Sequence, residues 1–426
     1  MTEAQDHGPK IISVTGTKGK TTVVRLLDSA YRTTKRPTLL VDTHGHYLDG
    51  KRKSTLKDGV KLYDLVPSVC PGRFLYELKD KNNSVAILEM SIGSSALPGM
   101  GYRAHDIGVL TNIFEDHIGS RLKSRRALAR EKGRLFARVK LDGALVFNAD
   151  DVLVVEQLKK VKSETERNLT LIPVGLDFSA FDLDDHLSRG GKAITWKDHK
   201  VLVLTKEGQT KLFETNKISW IFEGYYLPSV YNLLFAVACI FVEQGQKRIP
   251  KLMQEALINY SADEKKEGRL LRYKYKKKNV DIIVDYAHEK FSLKAIGNLA
   301  SHISKRKTIG VIRFAVDRTD KQLRNYSREI ANVFDTVVVY DKVDGVTRQP
   351  LKDLRKKWHR DVGEVSAIVF DEIKKHTSKQ NSVYRVIPEN KALEKALSLS
   401  EEGDVIVHIF GNDSNYTLKV LKNLIK

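Results

Sequence analysis

Cysteine is nearly absent: the 426 residues hold two, Cys70 and Cys239. Neither stands in a metal-like spacing, which excludes a disulfide framework and a cysteine-based zinc site. Long apolar runs are missing as well. The longest, Leu233 to Val242, is about half of what spans a bilayer. The opening MTEAQDHGPK carries no apolar signal region, so a soluble cytoplasmic protein with no membrane partner is the expectation. No internal repeat or low-complexity tract stands out. Acidic residues are short relative to basic ones, 53 Asp+Glu against 73 Lys+Arg, for a net charge of +20. That surplus calls for an anionic partner: nucleic acid, an anionic surface, or an acidic small molecule or polymer. With 41% apolar and 30% charged residues the chain can bury real cores, and its length suits about two to three domains.

Residues 11–15 (IISVT) are a short β-branched run that ends in a glycine-containing turn. Residues 21–32 (TTVVRLLDSAYR) then place Val24, Leu27 and Tyr31 on one helical face. Strand-like runs recur at 38–42, 85–88, 107–111 and 144–147, with helical character between them, as over 124–140. This alternation predicts a mostly parallel sheet with helices on both faces. From 170 to 220 the pieces ISW, ITW, VLVL and KLFET, split by polar turns, predict a small antiparallel sheet. Residues 229–244 predict a buried helix, and 261–268 (SADEKKEG) a linker. A second α/β alternation follows, with strand-like runs at 280–285, 308–314, 335–340, 366–370 and 404–409.

Between the first strand and the first helix lies Thr15-Gly16-Thr17-Lys18-Gly19-Lys20-Thr21-Thr22. Glycines let backbone N–H groups converge on phosphate oxygens, and the helix N-terminus adds partial positive charge. Lys20 can reach terminal phosphates and the Thr21 hydroxyl can ligate Mg²⁺. The full G-x-x-x-x-G-K-[ST] pattern needs glycine at 14, where Val14 stands, so the loop is a variant. A carboxylate must complete such a metal shell. Glu89 closes the run VAIL, where a strand's C-terminal edge would present it; the plain alternative is a glutamate at a sheet edge. His117 follows the strand-like run at 107–111 with Glu115 and Asp116, a ligand set or simple structural polarity. Lys132 lies among Arg126, Arg130 and Arg134, a spacing that alone reads as a solvated basic face.

TGTKGKTT, LEMSIGSS, VLTNIFEDHIG, EKGRLF and FNADD, in this order, resemble the Mur ligase family. The stretch GMGYRAHDIGVLTNIFEDHIGS is most similar to the Mur-like C-terminal half of cyanophycin synthetases. The likeness continues through Asn232, Gly268-Arg269, VDYAH at 284–288, Asp317-Arg318 and GDVIV at 403–407, nearly the whole chain. It implies a phosphate-loop central domain over 1–262 and a Rossmann-like α/β C-terminal domain over 263–426. It implies ATP and Mg²⁺, with Gly16, Thr17, Lys18, Gly19, Lys20, Thr21 and Thr22 around the phosphates. Thr21 and Glu89 would hold one metal and His117 a second. Lys132 falls where these enzymes carry a lysine that is often carbamylated and bridges to that second metal. Asn232 would touch adenine, Arg269 the phosphates and Asp285 the ribose, with His288 near the nucleotide. The implied reaction is amide-bond formation through an acyl phosphate.

The chain departs from the family pattern in several places. Glu289-Lys290 follow DYAH where Asn-Pro is common, Ala315-Val316 replace the glycine of a Gly-Asp-Arg turn, and Ser229 stands near Asn232 in place of an asparagine. Met90-Ser91-Ile92-Gly93-Ser94 follows Glu89 where cyanophycin synthetases carry small residues and Arg-Gly. The phosphate loop begins at Thr15, so the expectation is a stand-alone ligase core, with any ATP-grasp or glutaminase partner on a separate chain. An acidic small-molecule, peptide or polymer acceptor and an amino acid or amine fit the positive charge. Nucleic acid is the weaker reading, because RYKYKKK at 272–278 is also a solvated strand edge and no recognised binding module is present. A homo-oligomer, the ATP-using subunit of an amidating complex and a non-catalytic nucleotide-dependent module stay open.

Overall fold

A computed structural model of the chain describes residues 8–53, 56–57, 60–61, 66–91, 100–115, 122, 124–164, 168–261, 270–287, 289–316, 318–341, 360–411 and 414–425. It divides into two compact units, Met1–Tyr260 and Ser261–Lys426.

In the first unit one sheet, eleven strands among the described residues, runs in the order Gly208–Glu214, Lys200–Thr205, Ala193–Lys197, Thr170–Val174, Val139–Asn148, His105–Leu110, Lys10–Thr15, Val85–Glu89, Thr38–Asp42, Gly45–Leu48 and Lys51–Arg52. The strands from Thr38–Asp42 across to Ala193–Lys197 are parallel, and those beyond either side are antiparallel. Side chains alternate across it with period two. Ile12, Val14, Val85, Ile87 and Val146 join the core beneath helices Lys20–Arg32, Leu227–Glu243 and Lys251–Ile258. Ile11, Ala86, Leu88, Leu145 and Phe147 join the core on the opposite face, with Arg125–Gly133 and Val152–Glu164. Burial on both faces explains why the central strands read as unbroken apolar runs.

Helix Leu227–Glu243 starts with proline in its first turn and buries Leu233 through Phe241 without a polar face. A helix apolar all round belongs in a core. Among the described residues no helix is long and apolar enough to cross a membrane.

The second unit holds a six-stranded sheet among its described residues, ordered Leu271–Tyr275, Val280–Asp285, Val405–Ile409, Thr308–Ile312, Thr336–Val339 and Ser382–Arg385. The first pair is antiparallel and the rest are parallel. The lysine-rich run at 272–278 therefore forms an edge strand and its turn. Arg272, Lys274 and Lys276 are exposed. Lys278 instead donates to the carbonyls of Leu397, Ser398 and Ser400 at 2.9, 3.2 and 2.8 Å, closing the end of helix Glu389–Leu399.

Four expectations need correction. Residues 366–370 are not a strand: they lie inside helix Glu364–His376, where Val365, Val369 and Ile373 are buried one turn apart. A five-residue apolar run is too short to tell the two periods apart, and the strand of this region is Ser382–Arg385. The ISW piece falls in a 3₁₀ segment, Ser219–Gly224, with Phe222 and Glu223 at positive φ. The helix expected over 124–140 stops at Gly133, and strand Val139–Asn148 begins soon after. The antiparallel strands between 193 and 214 form as expected, but they extend the large sheet through the parallel pairing of Val174 with Ile194.

Candidate functional site

The phosphate loop leaves strand Lys10–Thr15 between its two parallel neighbours, Val85–Glu89 and His105–Leu110. Helix Lys20–Arg32 follows this strand on one face of the sheet and helix Arg125–Gly133 follows its neighbour His105–Leu110 on the other, the divergence at which open α/β sheets bind ligands. Helix Lys20–Arg32 begins at the loop, with Gly19 as its left-handed cap at φ 86°. Gly16 sits at φ 147° and lies so close to the next strand's exit that a Cβ on it would stand 1.9 Å from Thr111 Oγ1. A Cβ on Gly19 would stand 2.3 Å from Asn232 Oδ1. The two glycines are thus required by backbone conformation and by close approach together.

The segment after strand His105–Leu110 cradles the loop. The Asn112 carbonyl accepts from Thr17 N at 2.9 Å, and its Oδ1 accepts from Lys18 N at 2.9 Å. Thr111 Oγ1 donates to Lys18 O at 2.7 Å, and Phe114 N donates to Thr17 Oγ1 at 3.0 Å. Asn148 and Asp151 of the FNADD stretch hold that segment in turn, through Thr111 O at 2.9 Å and Ile113 N at 2.7 Å. Tyr231, next to Asn232, donates its hydroxyl to Asp150. Burial pushes the Asp150 carboxyl above its ordinary range, against that hydroxyl and the Leu176 N–H, which pull it down.

Lys20 Nζ donates to Gly16 O at 3.0 Å and Thr17 O at 3.1 Å, so its charge sits over the loop backbone. Thr21 Oγ1 donates to Glu89 Oε2 at 2.9 Å. Glu89 is 1% exposed, at the end of its strand beside Val14. A hydroxyl and a carboxylate at hydrogen-bond distance, at the start of the helix that follows the loop, are the hard oxygen donors that Mg²⁺ takes. Thr22 follows within the first helical turn.

Lys132 lies in helix Arg125–Gly133 and is only 4% exposed, whereas Arg126, Arg130 and Arg134 of the same stretch are exposed. The basic face is therefore real and Lys132 is not on it. Its burial sets this lysine apart from its neighbours. His117, Arg269, His288 and Asp317 lie outside the described residues. In the second unit Asp285 is buried and accepts from Leu270 N at 2.9 Å.

The departures from the family pattern acquire structural roles. Glu289 caps helix Lys290–Ile303, accepting from Phe291 N at 2.8 Å and Ser292 N at 2.7 Å, the part a short polar side chain plays elsewhere. Lys290 pairs with Glu329 at 2.7 Å. Ser229 is buried in helix Leu227–Glu243. The residues that reasoning on the sequence missed are Thr43, whose hydroxyl donates to Glu89 Oε1 at 2.8 Å, and Thr111 and Asn112, which hold the loop. The last two carried a signal, polar groups directly after a strand.

A variant phosphate loop at the switch point of a parallel sheet, with a carboxylate on the neighbouring strand, defines a phosphate-binding α/β protein. The chain belongs to the Mur ligase family: the Mur ligase middle domain matches residues 14–240. It is 26% identical over 401 residues to cyanophycin synthetase of Geminocystis herdmanii, covering 93% of this chain and 42% of that protein. It is 23% identical to UDP-N-acetylmuramoyl-L-alanyl-D-glutamate–2,6-diaminopimelate ligase of Clostridium perfringens, covering 97% of this chain and 75% of the other. The chain thus spans less than half the length of the cyanophycin synthetases it matches. Among solved structures, Mycobacterium tuberculosis folylpolyglutamate synthase with ADP and AMPPCP shares the fold at a TM-score of 0.66 and 16% identity, covering 98% of this chain and 91% of that one.

Proposed function

We propose that this chain is an ATP- and Mg²⁺-dependent ligase that joins the amine of an amino acid, or a similar amine, to a carboxylate of an acidic peptide or polycarboxylate acceptor. The observation that carries the reading is the phosphate loop with Thr21 Oγ1 2.9 Å from the buried Glu89 carboxylate. Its support from relatives is that cyanophycin synthetases and diaminopimelate-adding ligases align over nearly the whole chain, and that a protein of the same fold holds ADP and AMPPCP.

In this reading the loop N–H groups and Lys20 offset charge on the transferring phosphoryl group, and Asn232, packed against Gly19, meets the adenine. Thr21 and Glu89 hold Mg²⁺, which supplies further charge neutralisation on the phosphates when bound. Lys132 and His117 serve a second metal position. A carboxylate oxygen of the acceptor attacks the γ-phosphorus, giving an acyl phosphate and ADP. The amine nitrogen then adds to the acyl carbon, and the tetrahedral intermediate expels phosphate and loses a proton, leaving the amide. The net charge of +20 favours an acidic acceptor by steering it.

The test is ADP and phosphate release from ATP–Mg²⁺ with pooled amino acids and pooled acidic acceptors, with Lys20→Ala as control. Release that needs both pools, with a product at the summed mass less water, and its loss in Lys20→Ala, is the expected result. Release with ammonium alone would move the reading to an amidating complex. Undiminished release by Lys20→Ala would overturn the site.

A further inference from the structure

Strand Thr38–Asp42 and strand Gly45–Leu48 are joined by a two-residue turn, Thr43-His44, that reaches the carboxyl end of the sheet beside Glu89. Three donors meet the Glu89 carboxylate. Thr43 Oγ1 reaches Oε1 at 2.8 Å, and Thr43 N and Thr21 Oγ1 reach Oε2 at 3.2 and 2.9 Å. Two of the three come from one residue outside the phosphate loop.

The turn itself is pinned. Asp42 Oδ1 accepts from His44 N at 2.7 Å and Gly45 N at 3.0 Å, and Asp42 Oδ2 accepts from Arg25 Nε at 2.8 Å. Arg25 stands on helix Lys20–Arg32, the helix that also carries Thr21. The ion pair is buried, with side-chain exposures of 10% and 0%. One helix therefore grips the carboxylate directly through Thr21 and indirectly through Arg25, Asp42 and Thr43. Thr43 itself is exposed, so its hydroxyl is not kept for core packing.

We infer that Thr43 is a positioning residue that fixes the rotation of the Glu89 carboxylate and so sets how well the site takes a divalent cation with nucleotide. The inference rests on the proposed ligase reading, in which Glu89 holds Mg²⁺. A carboxylate on a flexible stem has several rotamers, and a hydrogen bond to one oxygen plus a backbone N–H to the other selects among them. Partners of this kind govern metal affinity by about 10- to 100-fold when removed.

The experiment measures Mn²⁺ binding by electron paramagnetic resonance, with the non-hydrolysable nucleotide AMPPNP saturating, in wild type, Thr43→Val, Thr43→Ser and Lys20→Ala. Valine keeps the shape and the backbone N–H but removes the hydroxyl. The expected result is a Mn²⁺ dissociation constant raised about tenfold or more in Thr43→Val, with wild-type affinity in Thr43→Ser and AMPPNP binding without metal unchanged in both. Wild-type Mn²⁺ affinity in Thr43→Val overturns the inference. Lys20→Ala separates the two levels: if it binds AMPPNP as wild type does, the phosphate-loop reading fails, whatever Thr43 does.

Discussion

Replacing Gly16 with alanine is the sharpest single perturbation of the phosphate loop. At φ 147° an alanine is strained by about 1–3 kcal/mol. Its Cβ would also stand 1.9 Å from Thr111 Oγ1, 3.1 Å from Thr111 Cβ and 3.2 Å from Asn112 N, so a side chain and a backbone must both give way. The displaced Thr111 hydroxyl loses its bond to Lys18 O, worth about 1 kcal/mol. Together these terms disfavour the loop's native conformation by about 2–4 kcal/mol. Apparent affinity falls by the fraction of loops left competent, so ATP binding should weaken roughly 100-fold. The assay is a fluorescent-nucleotide titration beside a urea melt. Gly190→Ala is the control: Gly190 has φ 81° but no atom within 4 Å of a new Cβ, so it should lose about 1 kcal/mol of stability and no nucleotide affinity. Wild-type affinity in Gly16→Ala would refute the reasoning.

Three other outcomes are expected. His105 is fully buried, and burial pushes its imidazole down to about 3. The unfolded chain then takes up a proton the folded chain refuses, so its contribution is whole above pH 6.5 and shrinks as pH falls; between pH 7 and pH 5 wild type should lose about 2 kcal/mol that His105→Gln does not lose, read from urea melts at each pH. Lys278→Met removes the cation that closes helix Glu389–Leu399 and should cost about 1–2 kcal/mol in thermal melts, while Lys276→Ala on the same run stays within about 0.5 kcal/mol. Lys132→Met, which keeps the buried stem, should lower kcat by about 100-fold or more with the fold retained by circular dichroism; unchanged turnover would remove Lys132 from the reaction.

The parts of the fold legible in the sequence were those where pattern and position agree. TLLVD at 38–42 is the strand Thr38–Asp42 because both faces of the sheet are covered there. The loop at 15–22 was legible because glycines at 16 and 19 and lysine at 20 are needed together by one geometry. SAIVF at 366–370 misled because a short apolar run fits either period, and only packing at 365, 369 and 373 decides. Thr43 was invisible for a different reason. Its importance comes from Arg25 and Asp42 bringing a hairpin turn against Glu89, a meeting of three separate segments that no local spacing encodes. Lys132 read as one more charge on a basic helix until its burial set it apart from Arg126, Arg130 and Arg134.

The central claim is that a carboxylate oxygen of the acceptor attacks ATP and leaves with the phosphate. An acceptor labelled with ¹⁸O in its carboxylate tests this directly, by mass analysis of the phosphate released during amide formation. The account predicts one ¹⁸O in each phosphate, carried there as the bridging oxygen of the acyl phosphate. Phosphate free of label while product forms would contradict it.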